Sequence, residues 1–335
     1  MREAARGGGL APGWARWAAL IALALLAPAL DGCSARKLAI RAVANAMASG
    51  GDAYASDDDP ELVGAALPFA LKTAEGLLAG DPGNRNLLLT TAKGFAQYAY
   101  GFVQMPAEAI ADADYERADR ERDRARRLYM RARGYAVRGL ETTHPGIGER
   151  LQREPAAAAA EIGRDDIAFA YWAGAAWGAA IGLGKDHPEL LADLPAVRAL
   201  LERALALDEG WQGGAVHAVL ITLEAATPGS DSMEKAKRHF DRAVALSQGH
   251  DAGPYVTYAE AIAVPQQDRA AFDAMLEKAL AVDADARPAF RLANLLAQRK
   301  ARLLQSRVDD LFLGDEPAAE EGEEPPADDA GDSSP

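Results

Sequence analysis

Leu201-Glu-Arg-Ala-Leu-Ala-Leu-Asp208 returns as Phe240-Asp-Arg-Ala-Val-Ala-Leu-Ser247 and again as Leu276-Glu-Lys-Ala-Leu-Ala-Val-Asp283. The copies start 39 and 36 residues apart, and a weaker one, Ala74-Glu-Gly-Leu-Leu-Ala-Gly-Asp81, lies far upstream. Each copy is built from Ala and Leu, strong helix formers, and ends on a polar residue suited to a turn. The small alanines let neighbouring helices approach closely. No segment carries a sustained alternation of β-branched residues, so no sheet is expected. An all-α fold follows.

The repeated octets resemble the second helix of a tetratricopeptide unit, whose period is about 34 residues. The irregular offsets mark degenerate repeats with inserted loops. The resemblance implies stacked helical hairpins, α-solenoid-like, with one continuous core and a concave surface of the kind that commonly binds a partner. Unrelated helical hairpins are the alternative.

Punctuation along the chain fits that reading. Asp59, Pro60 and Glu61 form a helix start, and Gly80-Asp-Pro-Gly83 ends the helix, with Pro68 marking a kink or a restart. Further helices are expected at about 84–104, 114–140, 155–161, 163–184, 188–193, 195–208, 211–226, 232–248, 254–264, 266–283 and 287–313. The helix at 114–140 holds nine arginines between Arg117 and Arg138. Interleaved acids such as Glu116, Asp119, Glu121 and Asp123 make it a solvated face with i,i+4 pairs, or a subunit contact.

Both ends stand outside this pattern. Trp17 to Ala29 is an apolar run of 13 residues behind Arg2, Arg6 and Arg16, which suits an export signal and is short for a membrane span. Leu30-Asp-Gly-Cys33-Ser34 follows and resembles a bacterial lipobox, so residues 1–32 read as a lipoprotein signal peptide and Cys33 as the lipid-attachment site. Three acyl chains on one cysteine make a durable anchor. Ser34 favours the inner leaflet of the outer membrane, with the body in the periplasm. Cys33 is the one cysteine, which excludes an internal disulfide and multi-cysteine metal sites. Residues 33–313 read as a single helical domain. The tail 314–335 carries nine Asp or Glu and no Lys or Arg; it reads as an acidic disordered segment, solubilising or docking. These nine account for most of the net charge of −14, so the body is only mildly acidic. Nothing concentrates positive charge as nucleic-acid binding requires.

Catalytic and cofactor patterns are missing. The five histidines have no i,i+3 or i,i+4 partner and no metal is expected; no nucleophile elbow surrounds a serine. Ile181-Gly-Leu-Gly-Lys185-Asp186 fails as a phosphate loop, because Asp186 stands where a hydroxyl must bind magnesium. Asp165-Asp166 is read as helix capping. The chain is not read as an enzyme, and no cofactor is implied.

Two segments mix large rings with Gly and Ala: Gly94-Phe-Ala-Gln97-Tyr98-Ala-Tyr100-Gly-Phe102-Val-Gln104 and Phe169-Ala-Tyr171-Trp172-Ala-Gly-Ala-Ala-Trp177-Gly-Ala-Ala-Ile181. Such rings pack as core or line a ligand cavity, with Gln97, Gln104 and the Tyr and Trp polar atoms orienting a small, partly apolar molecule.

The first of these segments, together with Asp57–Leu62, Ala66–Phe69 and Asn86–Leu89, is similar to the T component of tetratricopeptide-associated TRAP transporters. So are Tyr171–Ala180, Ala259–Asp268, Arg291–Asn294 and Asp309–Phe312. Asp31 and the acidic tail depart from that family's pattern. The resemblance implies a periplasmic lipoprotein, a homotrimer, that works with the solute-binding protein of a TRAP system. It would bind or relay an apolar or amphipathic ligand. Candidate ligand-binding residues are Tyr98, Tyr100, Gln104, Tyr171, Trp172, Trp177 and Asn294. The competing expectation is a membrane-anchored scaffold that binds only proteins.

Overall fold

The computed structural model describes residues 38–46, 51–184 and 187–313, with backbone alone at Gly51 and Asp52. The export signal, Cys33 and the acidic tail lie outside these residues. The described residues are helical throughout, with no strand. The chain is all-α.

Local chemistry sets the helix boundaries. Helix α1 covers residues 38–46, and α2 Gly51–Ala55. Asp59 accepts the Leu62 amide at 2.9 Å and starts α3, Pro60–Gly80. Contrary to the expected break, α3 runs on through Pro68. Its partners on either side secure it: Val63, Leu67, Leu71, Ala74 and Leu78 form one buried stripe at helical spacing. Asn84 caps α4, Arg85–Ala99, which continues through a π-helical turn, Tyr100–Gln104, into α5, Met105–Ala109. Asp114 caps α6, Tyr115–Glu141.

The arginine-rich face of α6 divides in two. Its first half carries the expected local pairs, among them Arg120 with Glu116 and Arg127 with Asp123. Its second half reaches outward: Arg131 pairs with Glu75 of α3, and the Arg133 guanidinium lies 3.5 Å from the centre of the Trp177 ring. A short helix, α7 at Ile147–Arg153, was absent from the sequence expectation. Gly146, at φ 77°, turns the chain, and Glu141 accepts the amides of Gly146 and Gly148.

Helices α8 (Pro155–Ala160), α9 (Ile167–Gly182), α10 (Pro188–Leu191), α11 (Leu194–Leu207), α12 (Ala215–Ala225) and α13 (Ser232–Ser247) follow. Next come α14 (Gly253–Tyr258), a second π turn (Ala259–Ala263), α15 (Arg269–Ala281), α16 (Arg291–Ser306) and α17 (Val308–Leu311). The repeated octets close α11, α13 and α15. Each of these packs on an earlier helix: α11 on α9, α13 on α12, and α15 on α14 with its π turn. These three octets therefore end the second arm of a hairpin, an arrangement compatible with tetratricopeptide-like stacking, whereas the weaker copy ends α3, which packs on the helix after it.

Asp166 corrects one expectation. Its side chain makes no capping bond to α9. It receives Arg85, Thr143 at 3.1 Å and His144 at 3.0 Å. Burial works against its charge, but those bonds outweigh it and hold its pKa below the ordinary value.

The C-terminal helix returns to the N-terminal end. Arg299 pairs with Glu61, Arg291 donates to the Ser56 carbonyl, and Lys300 bonds Glu108. Val63, Leu67, Met105, Leu292 and Leu296 form a cluster of their own there.

Candidate ligand cavity

Three stripes face one another where α3, α4 and α16 meet. From α3 come Val63, Leu67, Ala70, Leu71 and Ala74; from α16, Leu292, Ala293, Leu296 and Ala297. From α4 and its π turn come Thr90, Lys93, Gly94, Gln97 and Tyr100, three and four residues apart and so on one face. The larger side chains of the Val63–Leu296 cluster bridge the helices. Between them the wall is made largely of small alanines: Ala70, Ala74, Ala293 and Ala297. The result is a cavity of about 440 Å³, within the range of small-molecule sites. Tyr54, Phe102, Asp251 and Gly253 complete its wall.

The wall is mainly apolar, with polar groups in a few places. Tyr100 is 40% accessible, yet desolvation pushes its hydroxyl up to about 12. The surface it presents is cavity wall. Asp251 is partly buried, and burial raises its pKa.

Beneath Tyr100 runs a hydrogen-bonded chain. Tyr129 donates to Gln104 Oε1 at 2.8 Å, and Gln104 Nε2 donates to Glu108 at 2.9 Å. Lys300 Nζ then lies 2.6 Å from Glu108 and 2.8 Å from Glu260. Burial opposes the ammonium, but the two carboxylates outweigh it and raise its pKa. Gln104 and Glu260 sit in the two π turns, so Lys300, through Glu108, ties the two irregular turns together. Such turns often mark functional sites.

The candidate residues separate into groups. Tyr100 and Gln97 line the cavity. Tyr98 stacks on Phe102 at 6.0 Å and accepts from Arg124 at 3.4 Å. Gln104 lies off the cavity wall, held between Tyr129 and Glu108. Asn294 is fully buried; it donates to the His250 carbonyl and accepts the Ala252 amide, both at 2.9 Å, and so clamps the turn that carries Asp251. Tyr171 packs on Trp211 and Trp172, with ring centres 4.6 and 5.0 Å away. Trp172 is half-buried between two core clusters. Trp177 has no accessible surface; its indole N–H donates to Asp193 at 3.2 Å. The second aromatic segment therefore lies outside the cavity wall.

Sequence reasoning did not single out Asp251, Lys93, Thr90 or the Lys300 group. Lys300 and Asp251 meet Tyr100 only through the return of α16 and the clamp on the 250–252 turn, which are long-range features.

A second, polar cleft of about 400 Å³ lies between α11, α12 and α13. His217 and His239 face each other there, with Nδ1 atoms 2.8 Å apart. Most of its charges are paired: Arg198 with Glu224 and Glu202, Arg242 with Glu209, and Lys235 with Asp231. Burial, and then His217, press the His239 pKa down to about 4.

The profile of the TRAP transporter T-component family matches residues 56–312, which include nearly all of the α3–α4–α16 cavity. The chain belongs to this family. An uncharacterized protein of Treponema pallidum (strain Nichols) is 34% identical over 302 residues, covering 84% of this chain and 94% of its own length. Membership gives the chain a T-component role in TRAP transport and associates it with the periplasm or envelope.

Proposed function

We propose that this chain is a periplasmic T component that binds an apolar or amphipathic small molecule between α3, α4 and α16. It passes that molecule to or from the solute-binding protein of its TRAP system. The single observation carrying this reading is the cavity: 440 Å³ of mainly apolar space with Tyr100, Gln97 and Asp251 on its wall. An apolar wall releases little energy against water but favours hydrocarbon. The few polar groups then orient one end of the ligand.

Lipid attachment at Cys33 holds the protein at the inner leaflet of the outer membrane in this reading, and the assembly is a homotrimer. A scaffold that binds only proteins is the competing reading. It draws on the exposed Leu62 and Phe69 of α3, 59% and 80% accessible.

Native mass spectrometry of the gently purified chain separates the two. The expected result is a bound organic solute, released on denaturation and lost in Ala293→Trp, which fills the cavity. A chain that carries no solute and takes up no added amphiphile contradicts the ligand reading. Cross-linking to a TRAP solute-binding protein in the intact envelope checks the partner.

A further inference from the structure

The polar end of the cavity holds a carboxylate that its apolar body does not explain. Asp251 lines the cavity and is partly buried. Its carboxylate accepts one hydrogen bond, from the Gly253 amide at 2.9 Å, and among the described residues no ion pair reaches it. This position is enforced, because Asn294 fixes His250 and Ala252 on either side. Close by, Lys300 is shared between Glu108 and Glu260. Asp251 is the carboxylate on the cavity wall, and Glu108 and Glu260 are both engaged by Lys300. Lys93 also lines the cavity. It stands seven residues before Tyr100, roughly 10 Å along α4 at 1.5 Å per residue.

A partly buried carboxylate without a counter-ion is unfavourable, and a proton or a cation compensates it. Tyr54, Tyr100 and Phe102 present rings to the same cavity, and aromatic faces attract ammonium groups. We propose that the cavity selects an amphiphilic amine. Its ammonium pairs with Asp251 against these rings, and its apolar body lies along Leu67, Leu71 and Leu296. This rests on the cavity being the ligand site. An anionic head group meets repulsion from Asp251, and a neutral one leaves that carboxylate without a counter-charge.

Isothermal titration of the full-length chain with octylammonium, octanoate and octanol at neutral pH tests it. The expected order is octylammonium about tenfold or more tighter than octanol, with octanoate weakest. Asp251→Asn should erase the octylammonium advantage and leave octanol within about twofold, with an unchanged circular-dichroism spectrum. Octanol binding with no preference for octylammonium, or a preference that survives in Asp251→Asn, overturns the head-group assignment alone. Failure of all three probes to bind overturns the cavity reading itself. The ranking in the unaltered chain stands even where the variant does not fold.

Discussion

The two ring-and-alanine segments, Gly94–Gln104 and Phe169–Ile181, share a composition and have opposite fates. The second lies in α9, which packs against α6, α11, α4 and α12. With neighbours on every side, its glycines and alanines let the helices close. A Cβ on Gly174 would meet Leu201 Cγ at 2.9 Å, and one on Gly139 of α6 would collide with the Phe169 ring. The first segment packs as tightly on its α6 side, through Phe95, Ala96 and Ala99. On its other face Leu71 of α3 and Leu296 of α16 close on Gly94 and Gly101, and a cavity remains between those contacts. Small residues permit close approach; whether approach happens depends on what else holds the helices. The same contrast shows in the carboxylates beside each region. Asp166, at the start of α9, is bonded to Arg85, Thr143 and His144, and its pKa is lowered. Asp251, at the cavity, lacks such partners, and its pKa is raised.

The contrast is broken most forcefully at Trp177. Trp177→Ala should destabilise the fold by about 3–5 kcal/mol in urea unfolding, because it opens a void and strips Arg133 and Asp193 of their contacts. Gly139→Ala should cost about 1–3 kcal/mol through overpacking against Phe169. A near-neutral result for either would mean that α9 is not in a closed core.

The carboxylate pair predicts opposite signs. A depressed carboxylate contributes stability above its unfolded pKa, and loses it as pH falls through its folded value. Asp166 follows this rule, so Asp166→Asn should lower the unfolding midpoint at pH 7. Its effect should fade in acid, below the ordinary value of 3.8. A raised carboxylate works in reverse: its ionised form is disfavoured in the fold. Asp251→Asn should therefore raise the midpoint of the ligand-free chain at pH 7. The difference should shrink as pH falls through the folded pKa and Asp251 takes up its proton. Urea titrations at pH 7 and in acid check both signs.

The smallest stability effect belongs to the cavity wall. Ala293→Trp places its ring in empty space and should move stability by less than about 1 kcal/mol, while abolishing uptake of amphiphiles. A large loss of stability would mean that the space is already filled.

Much of the fold was legible before any coordinates. The octets mark the ends of α11, α13 and α15, and Asp59, Asn84 and Asp114 sit at helix starts where their side chains accept amides. These are local effects, readable from adjacent residues. The two π turns were not legible, because Tyr100–Gln104 and Ala259–Ala263 carry ordinary helical composition. Nor was the cavity, which exists only because α16 returns to α3 across most of the chain. The rings of α4 and α9 looked equivalent because composition records what a helix carries, not how many neighbours it has. Asp251 carries no signal in the sequence; among the described residues its lack of an ion-pair partner is a property of the tertiary structure.

The central claim, that the space between α3, α4 and α16 holds the ligand, is tested most directly by locating a heavy-atom probe. Crystals soaked in 8-bromooctanol should give anomalous bromine density among Leu67, Leu71 and Leu296, and none in Ala293→Trp. Bromine density confined to the His217–His239 cleft, or an empty cavity at saturating probe, would contradict the account.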